Sequence, residues 1–350
     1  MKKTAIIPII VGLVCFSVNS ALAQFNNFGE VIQAGVDDAE VLTRAYLAPL
    51  PSGFGSGINS GWINTAETHQ PFGFDIQIRT ALSFVPTSDE TFDLANLDLQ
   101  KTRAADPDQT ISPTIGGNNE IGPVVVIEDD GNEVARFNLP KGSGYPVVPS
   151  AMIQAGVGLV ADTDLIIRYI PQFSYENTTF NMYGVGLKHG INQWIPGGKL
   201  LPVNISIMGG FTRIDVQSAL NLQPEGLPAD PIEDAGKSFD EQFANISLNA
   251  FTVKALVGKS LPFISFYGGL GYQTSMMEVD VVGNYPVNVS TPFGDRYEVI
   301  TDPFTYDAEG DNKFSLLGGA TLKMAFFRLF GEFTLAEYST ASVGIGFSFR

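Results

Sequence analysis

Between Phe72 and Phe84 the chain reads F-G-F-D-I-Q-I-R-T-A-L-S-F, and this stretch constrains the fold more than any other. Phe72, Phe74, Ile76, Ile78, Thr80, Leu82 and Phe84 take one phase; Gly73, Asp75, Gln77, Arg79, Ala81 and Ser83 take the other. Only a strand sends residues two apart to one face and their neighbours to the opposite face. A soluble sandwich buries the apolar face, whereas a membrane barrel turns it to lipid and encloses the polar one.

The long connections decide between these. Similar alternation recurs through ten stretches, ending with Ala341, Val343, Ile345, Phe347 and Phe349 in the phase opposite Ser342, Gly344, Gly346 and Ser348. The odd-numbered connections include 86–148, 217–243 and 276–312; the even-numbered ones, such as Ala161-Asp162-Thr163-Asp164 and Ser260-Leu261-Pro262, are short. An even strand count with long loops on one side and tight turns on the other is the bacterial outer-membrane pattern, and a sandwich has no cause to segregate loop length. The expected fold is therefore all-β, an antiparallel transmembrane β-barrel of 10–14 strands over residues 71–350. Closing the ring by pairing its first and last strands leaves no backbone edge in lipid.

The N-terminus reads as a removable address. Lys2 and Lys3 precede an apolar run, Ala5 to Phe16, and Ala21-Leu22-Ala23 forms a small-residue cleavage site, so residues 1–23 are expected to be a signal peptide. The run is too short to span a bilayer as a helix. Cys15, the single cysteine, would leave with it, which removes disulfides and thiolate chemistry from the mature chain.

The formal net charge is −17, and −19 without Lys2 and Lys3. All of that excess lies in three connections: 86–148 carries −7, 217–243 carries −5 and 276–312 carries −7. These are expected to be acidic extracellular loops. Such a balance excludes nucleic acid as a partner, because phosphate recognition needs clustered Lys and Arg.

Residues 24–70 are not strand-like and are expected to plug the barrel or lie beneath it in the periplasm. Val31 to Leu47 has the pattern of a short amphipathic helix stopped by Pro49 and Pro51. The following P-S-G-F-G-S-G-I-N-S-G-W lacks both GK[ST] and GxGxxG, so it reads as a compact turn-rich segment and not as a phosphate loop. In Ala244–Lys259 the apolar phase moves from even (Ile246, Leu248) to odd (Phe251, Val253, Val257), which predicts a bulge near Ala250.

Two sets of residues are the site candidates. Asp75, Gln77, Arg79, Gln154, Arg168, Gln172, Lys188, Lys254, Lys323, Arg328 and Glu332 are expected to face the lumen. Phe72, Phe74, Trp194, Phe347 and Phe349 are expected at the short-turn interface, with Phe84, Phe173, Tyr175, Phe180 and Phe211 at the opposite one. About ten strands enclose far less than the 16–18 of an aqueous porin, so a plug leaves no wide channel.

No enzyme signature is present: GxSxG and HExxH are missing, and the two histidines, His69 and His189, fall at the short-turn end. The acidic runs 128–133 and 307–312 lack full calcium-loop spacing and read as solvated turns. No cofactor or resident metal is expected.

Three segments carry a resemblance: P-L-P-S-G-F-G-S-G-I-N-S-G-W-I-N-T-A (49–66), H-Q-P-F-G-F-D (69–75) and G-V-G-L-K-H-G-I-N-Q-W-I-P-G (184–197). They resemble a family of functionally uncharacterised Bacteroidetes-type outer-membrane proteins. A weaker resemblance is to long-chain fatty-acid transporters, which place an N-terminal plug before the first strand. These likenesses imply an outer-membrane home, contact with lipid and lipopolysaccharide, and a final strand read by the barrel-insertion machinery, from which Arg350 after Phe349 departs. Three functions follow as expectations: gated passage of a small, in one form hydrophobic, solute; a structural or surface-interaction barrel acting through its acidic loops; and, least supported, an enzyme.

Overall fold

The computed structural model describes residues 36–349, apart from 130, 131, 225, 292, 293 and 312. The expected signal peptide, Cys15, residues 24–35, the hairpin tip at Asp130-Gly131 and Arg350 lie outside the described residues.

Ten antiparallel strands form a closed ring. They are β1 (Phe74–Phe84), β2 (Val147–Leu159), β3 (Thr163–Tyr175), β4 (Thr178–Gly190), β5 (Asn204–Leu220), β6 (Gln242–Ser260), β7 (Ile264–Val282), β8 (Phe314–Met324), β9 (Phe327–Leu335) and β10 (Thr340–Phe349). Each pairs with its sequence neighbours, and β1 closes on β10 from Phe74 opposite Phe349 to Ser83 opposite Thr340. The ring satisfies its backbone internally, as a span through hydrocarbon requires.

The outward face is the apolar one. Ile76, Ile167, Val185, Leu187, Ile207, Val253, Leu316, Val343 and Ile345 stand about half exposed around the wall, whereas Asp75, Gln77, Arg79, Gln154, Arg168, Lys188, Lys254 and Glu332 are buried inside. Polar residues in and apolar residues out, on a closed ring, is the inversion that marks a transmembrane β-barrel.

Strands β5, β6 and β7, of 17, 19 and 19 residues, exceed the roughly 9–11 residues that cross a bilayer, so they rise beyond it on the long-loop side. The top of β7 leaves β8 and pairs instead with Phe304–Glu309, a strand from the connection above it. The acidic connections are thus shorter than the sequence suggests, since strand continues to Leu220, restarts at Gln242 and runs on to Val282. They also hold small sheets of their own, among them Thr102–Ala104 with Val124–Asp129 and Asn132–Asn138, and Asn284–Thr291 with Gly294–Thr301.

This rise explains the misplaced bulge. β6 keeps unbroken register with both neighbours, and its even positions face inward throughout. What changes is the chemistry of each face. Below Ala250 the inward set is Thr252, Lys254 and Leu256; at and above it, Ala250, Leu248 and Ala244 join an apolar core while Asn245, Ser247 and Asn249 turn outward. Above the bilayer the outer face meets water, so the polarity exchanges while the backbone stays regular. The ring's register shift lies instead in β3, between Ile170 and Phe173 across Pro171, a residue that cannot donate to the ladder. It leaves Gln172 exposed, not lumen-lining, and Phe173 packs on the interior core beside the buried Phe180. Neither phenylalanine belongs to a lipid-facing girdle.

Inside the ring sits helix α2 (Pro49–Asn59); α1 (Val36–Leu47) precedes it at the long-loop end, against Phe304–Glu309, with Asp38 accepting from the backbone N–H groups of Gln100, Lys101 and Thr102. Pro49 opens α2 in place of ending helical structure, since a proline at the first turn gives up no bonded N–H. The glycine-rich run is therefore helical, contrary to the turn-rich expectation. Its glycines carry low helix propensity but allow close approach: a Cβ on Gly53 would lie 2.4 Å from Val148 Cγ2, and one on Gly57 would lie 2.4 Å from Ser150 Oγ. Tertiary contact with a narrow wall overrides propensity here.

Candidate functional site

The lumen is occupied by the chain's own residues from α2 to Gln70. Helix α2 touches strands on opposite sides of the ring, β1, β2, β5, β6, β7 and β10, and almost all its residues are buried. Wall groups reach in to it: Ser275 Oγ donates to Pro51 O at 2.8 Å, Gln273 Nε2 to Ser56 Oγ at 3.0 Å.

Below α2 the segment becomes extended and its backbone is gripped by charged wall residues. Arg168, fully buried, donates to Ile58 O and, at 2.8 Å, to Ser60 O, while its guanidinium lies 3.6 Å from the centroid of the Trp62 ring. A cation at the carboxyl end of α2 satisfies carbonyls that the helix leaves without partners. Arg79 donates through Nη2 to Ile63 O at 2.7 Å and to Asn64 Oδ1, and through Nε to Gln77 Oε1 at 2.7 Å. Glu332 accepts from Gly61 N at 2.9 Å and from the Tyr267 hydroxyl at 2.8 Å; the same hydroxyl is 3.1 Å from Ile63 O. Gly61 takes φ +66°, the left-handed conformation that a side chain disfavours, and a Cβ there would be 3.0 Å from both Arg79 Cδ and Ser342 Oγ.

A second ring of contacts closes the short-turn end. His69 lies between two carboxylates, Nε2 at 3.0 Å from Asp75 and Nδ1 at 3.1 Å from Asp164, and its backbone N–H donates to Asp164 at 2.9 Å. Lys188 pairs with Asp164 at 2.9 Å and donates to the carbonyls of Thr65 and Glu67. Burial opposes charge on His69, but the hydrogen bonds and charges of Asp164 and Asp75 prevail and push its pKa up to about 9.

The polar pairing is incomplete. Arg79, Arg168 and Lys254 are all fully buried around one carboxylate, Glu332, which stands 3.8 Å from Lys254 Nζ. Lys254 Nζ, Arg79 Nη1, Trp62 Nε1 and the hydroxyls of Ser206, Ser315, Thr334 and Ser342 have no hydrogen-bond partner among the described residues. Buried polar atoms are ordinarily paired with protein or ordered water, so these mark a lumen suited to water or to small polar solutes.

A model of a family of unknown function, DUF6588, matches residues 1–349. The chain belongs to that family. No curated protein matches it. Among solved structures it is similar to the attachment invasion locus protein Ail of Yersinia pestis (10% identity, 80% of this chain and 100% of that one, TM-score 0.26). The outer-membrane protease OmpT of Escherichia coli gives 11% identity over 81% of this chain and 100% of that one, with a TM-score of 0.32. The translocator domain of the autotransporter NalP of Neisseria meningitidis gives 10%, 88% and 96%, with a TM-score of 0.27. At such values the architecture rests on the hydrogen-bonded ring itself.

In this DUF6588 member the sequence candidates fall into distinct places. Asp75, Gln77, Arg79, Arg168, Lys254 and Glu332 converge on the extended part of the plug. Lys323 and Arg328 stand lower, half-buried at the short-turn mouth. Phe74 stacks on Phe349 with ring centroids 5.1 Å apart, and Phe326 stacks on Phe347 and Phe349, an exposed aromatic patch on the outer wall. Phe72 is 81% exposed in a turn before β1, with φ +65°, and Trp194 is exposed with its N–H donated to His189. Trp62, Asp164, Tyr267 and Thr321 were not foreseen as lumen residues. Tyr267 has a visible signal, an aromatic hydroxyl in the polar phase of its strand with Ser265 and Gln273. Trp62 has none, because its neighbours follow no period.

Proposed function

We propose that this chain is a bacterial outer-membrane β-barrel that passes a small solute past its own N-terminal plug. The closed ring with its apolar outer belt supports the bilayer home, and the resemblance to Bacteroidetes-type outer-membrane proteins supports the outer membrane. Lipid and lipopolysaccharide then surround the wall, and the insertion machinery would read β10. The observation that carries the reading is the grip on residues 58–67. It consists of hydrogen bonds between wall side chains and plug backbone, beside buried donors that lack partners among the described residues. Water or a polar solute can replace such contacts one at a time, as a dry apolar core does not permit. The apolar upper lumen would suit a solute with a hydrophobic part, in keeping with the weaker likeness to fatty-acid transporters. The reading is of a passage protein and not an enzyme, with one of its two histidines committed to holding the plug.

Planar-bilayer recording tests it. A Gly57→Cys, Ser150→Cys pair would tie α2 to β2 once the two part slightly, since a Cβ at Gly57 would lie 3.0 Å from Ser150 Cβ, closer than the roughly 3.5–4.5 Å of a relaxed disulfide. Oxidised channels are expected to stay shut and reduced ones to open intermittently, with Arg168→Met raising the open fraction further. Identical traces in all three states would end the passage reading.

A second reading is favoured by the small sheets over the long-loop end, which make a folded layer and not loose connections. There the barrel would act as a surface-interaction protein through its acidic loops. Trimming the loops within 86–148 and 276–312 should then impair envelope integrity or surface contact while bilayer conductance is unchanged.

A further inference from the structure

We propose that the short-turn mouth of the lumen holds a binding site for a small oxyanion, a phosphate or carboxylate group, centred on Lys323 and Arg328. These residues face each other directly across β8 and β9, both on the inward side. Like charges placed directly opposite in a sheet repel, and a barrel wall offers many neutral alternatives at such a pair. No ion pair among the described residues relieves their repulsion. Lys323 Nζ donates to Leu261 O at 3.3 Å, and Arg328 Nη1 donates to the carbonyls of Ala325 and Phe327, but among the described residues neither forms an ion pair. Glu67 and Asp75 act on them only from beyond ion-pair distance, and Asp75 is already committed to His69.

A cavity of about 190 Å³ opens between the two cations and the plug, with Ser265, Ser348, His69 and Asn64 also on its walls. At roughly 30 Å³ per water it holds a phosphate-sized group with part of its hydration. The charged groups on its walls are Lys323, Arg328, His69 and Glu67, whose side chain is exposed; His69 is already held by Asp75 and Asp164, which leaves Lys323 and Arg328 as the cations open to an oxyanion. The guanidinium presents a planar fork to an oxyanion and the ammonium a mobile point charge. Higher in the lumen Arg79, Arg168 and Lys254 outnumber Glu332, so the cationic bias continues inward in a chain whose formal net charge is −17. Acid outside and base inside make the mouth selective for anions that have already crossed, or are about to enter, the plugged section. This names a solute class for the passage reading and rests on it only for traffic; binding is tested without it.

The test uses the full-length protein folded in detergent micelles, titrated with inorganic phosphate and followed by calorimetry. Saturable binding is expected, weakened at least tenfold in Lys323→Gln, Arg328→Gln and retained in Lys323→Arg. Folding of each variant is read from its heat-modifiable migration on gels, and Lys323→Gln alone serves if the double variant fails to fold. A parallel titration with short-chain phosphatidylglycerol monomers separates the sources. Saturation by the lipid alone, lost in the same variants, still supports the oxyanion site and assigns it to a headgroup. Binding of neither probe, or equal binding by the wild type and the charge-removing variants, overturns the proposal, whether or not the barrel conducts.

Discussion

The plug meets the wall in two unlike ways. Along α2 the contact is one of shape: Gly53, Gly55 and Gly57 lie so close to Val148, Ser275 and Ser150 that an added Cβ would overlap them, and the surroundings belong to the apolar core. From Ser60 to Gln70 the contact is one of charge: Arg168, Arg79, Glu332, Lys188 and the carboxylates around His69 hold an extended backbone. One seam is sensitive to volume and indifferent to salt or pH; the other is the reverse. A plug built this way has a fixed end and a releasable end, and the releasable end faces the short turns.

The largest break in that comparison should come from Glu332→Ala. Lys254 would lose the carboxylate 3.8 Å from its ammonium, and stranding a buried charge costs about 3–5 kcal/mol. Urea unfolding in lipid vesicles is expected to show a loss of that order, with Glu332→Gln milder because it can still accept the bond from Gly61. A Glu332→Ala midpoint indistinguishable from wild type would mean that water already carries the charge, and the two seams would not differ.

Gly53→Val probes the shape seam. A Cβ 2.4 Å from Val148 Cγ2 has no room, and overpacking typically costs about 1–3 kcal/mol. This loss is expected to be the same at low and high ionic strength. If Gly53→Val instead leaves stability untouched, α2 has slack in the lumen and the fixed end is not fixed.

The two seams were also unequally legible in the sequence. Period-two alternation declares which side chains of a strand share a face, so Asp75, Gln77, Arg79, Arg168, Lys254 and Glu332 were placed inside from their spacing, and a ring of 10–14 strands followed from alternation and loop lengths together. Alternation does not declare what a face touches. Above the bilayer the inner wall turns apolar and the outer wall polar, so Leu248 and Phe251 looked out of phase although β6 is straight. Phe180 read as lipid-facing for the same reason, and Phe173 because the register shift after Ile170 turns it inward. The helix α2 was hidden because three glycines and two prolines argue against helix locally, and only contact with the wall reverses that. His69 and Asp164 lie at an element edge, where no period applies.

The smallest expected effect tests whether the releasable end answers to pH. His69 is only 14% exposed, and its two carboxylates raise its pKa to about 9 from an ordinary 6.5. A folded-state pKa above the unfolded one adds stability that is complete below pH 6.5 and disappears as pH rises through about 9. His69→Asn should therefore cost on the order of 1–2 kcal/mol at pH 6, typical of a charge-assisted hydrogen bond, and almost nothing at pH 10. Gly53→Val should cost the same at both. Unfolding midpoints for the two variants at pH 6, 8 and 10 separate the seams: converging curves for His69→Asn and parallel ones for Gly53→Val are expected. If the His69→Asn deficit stays constant across that range, the imidazole is held by packing alone, and the end of the plug nearest the turns is as fixed as the helix above it.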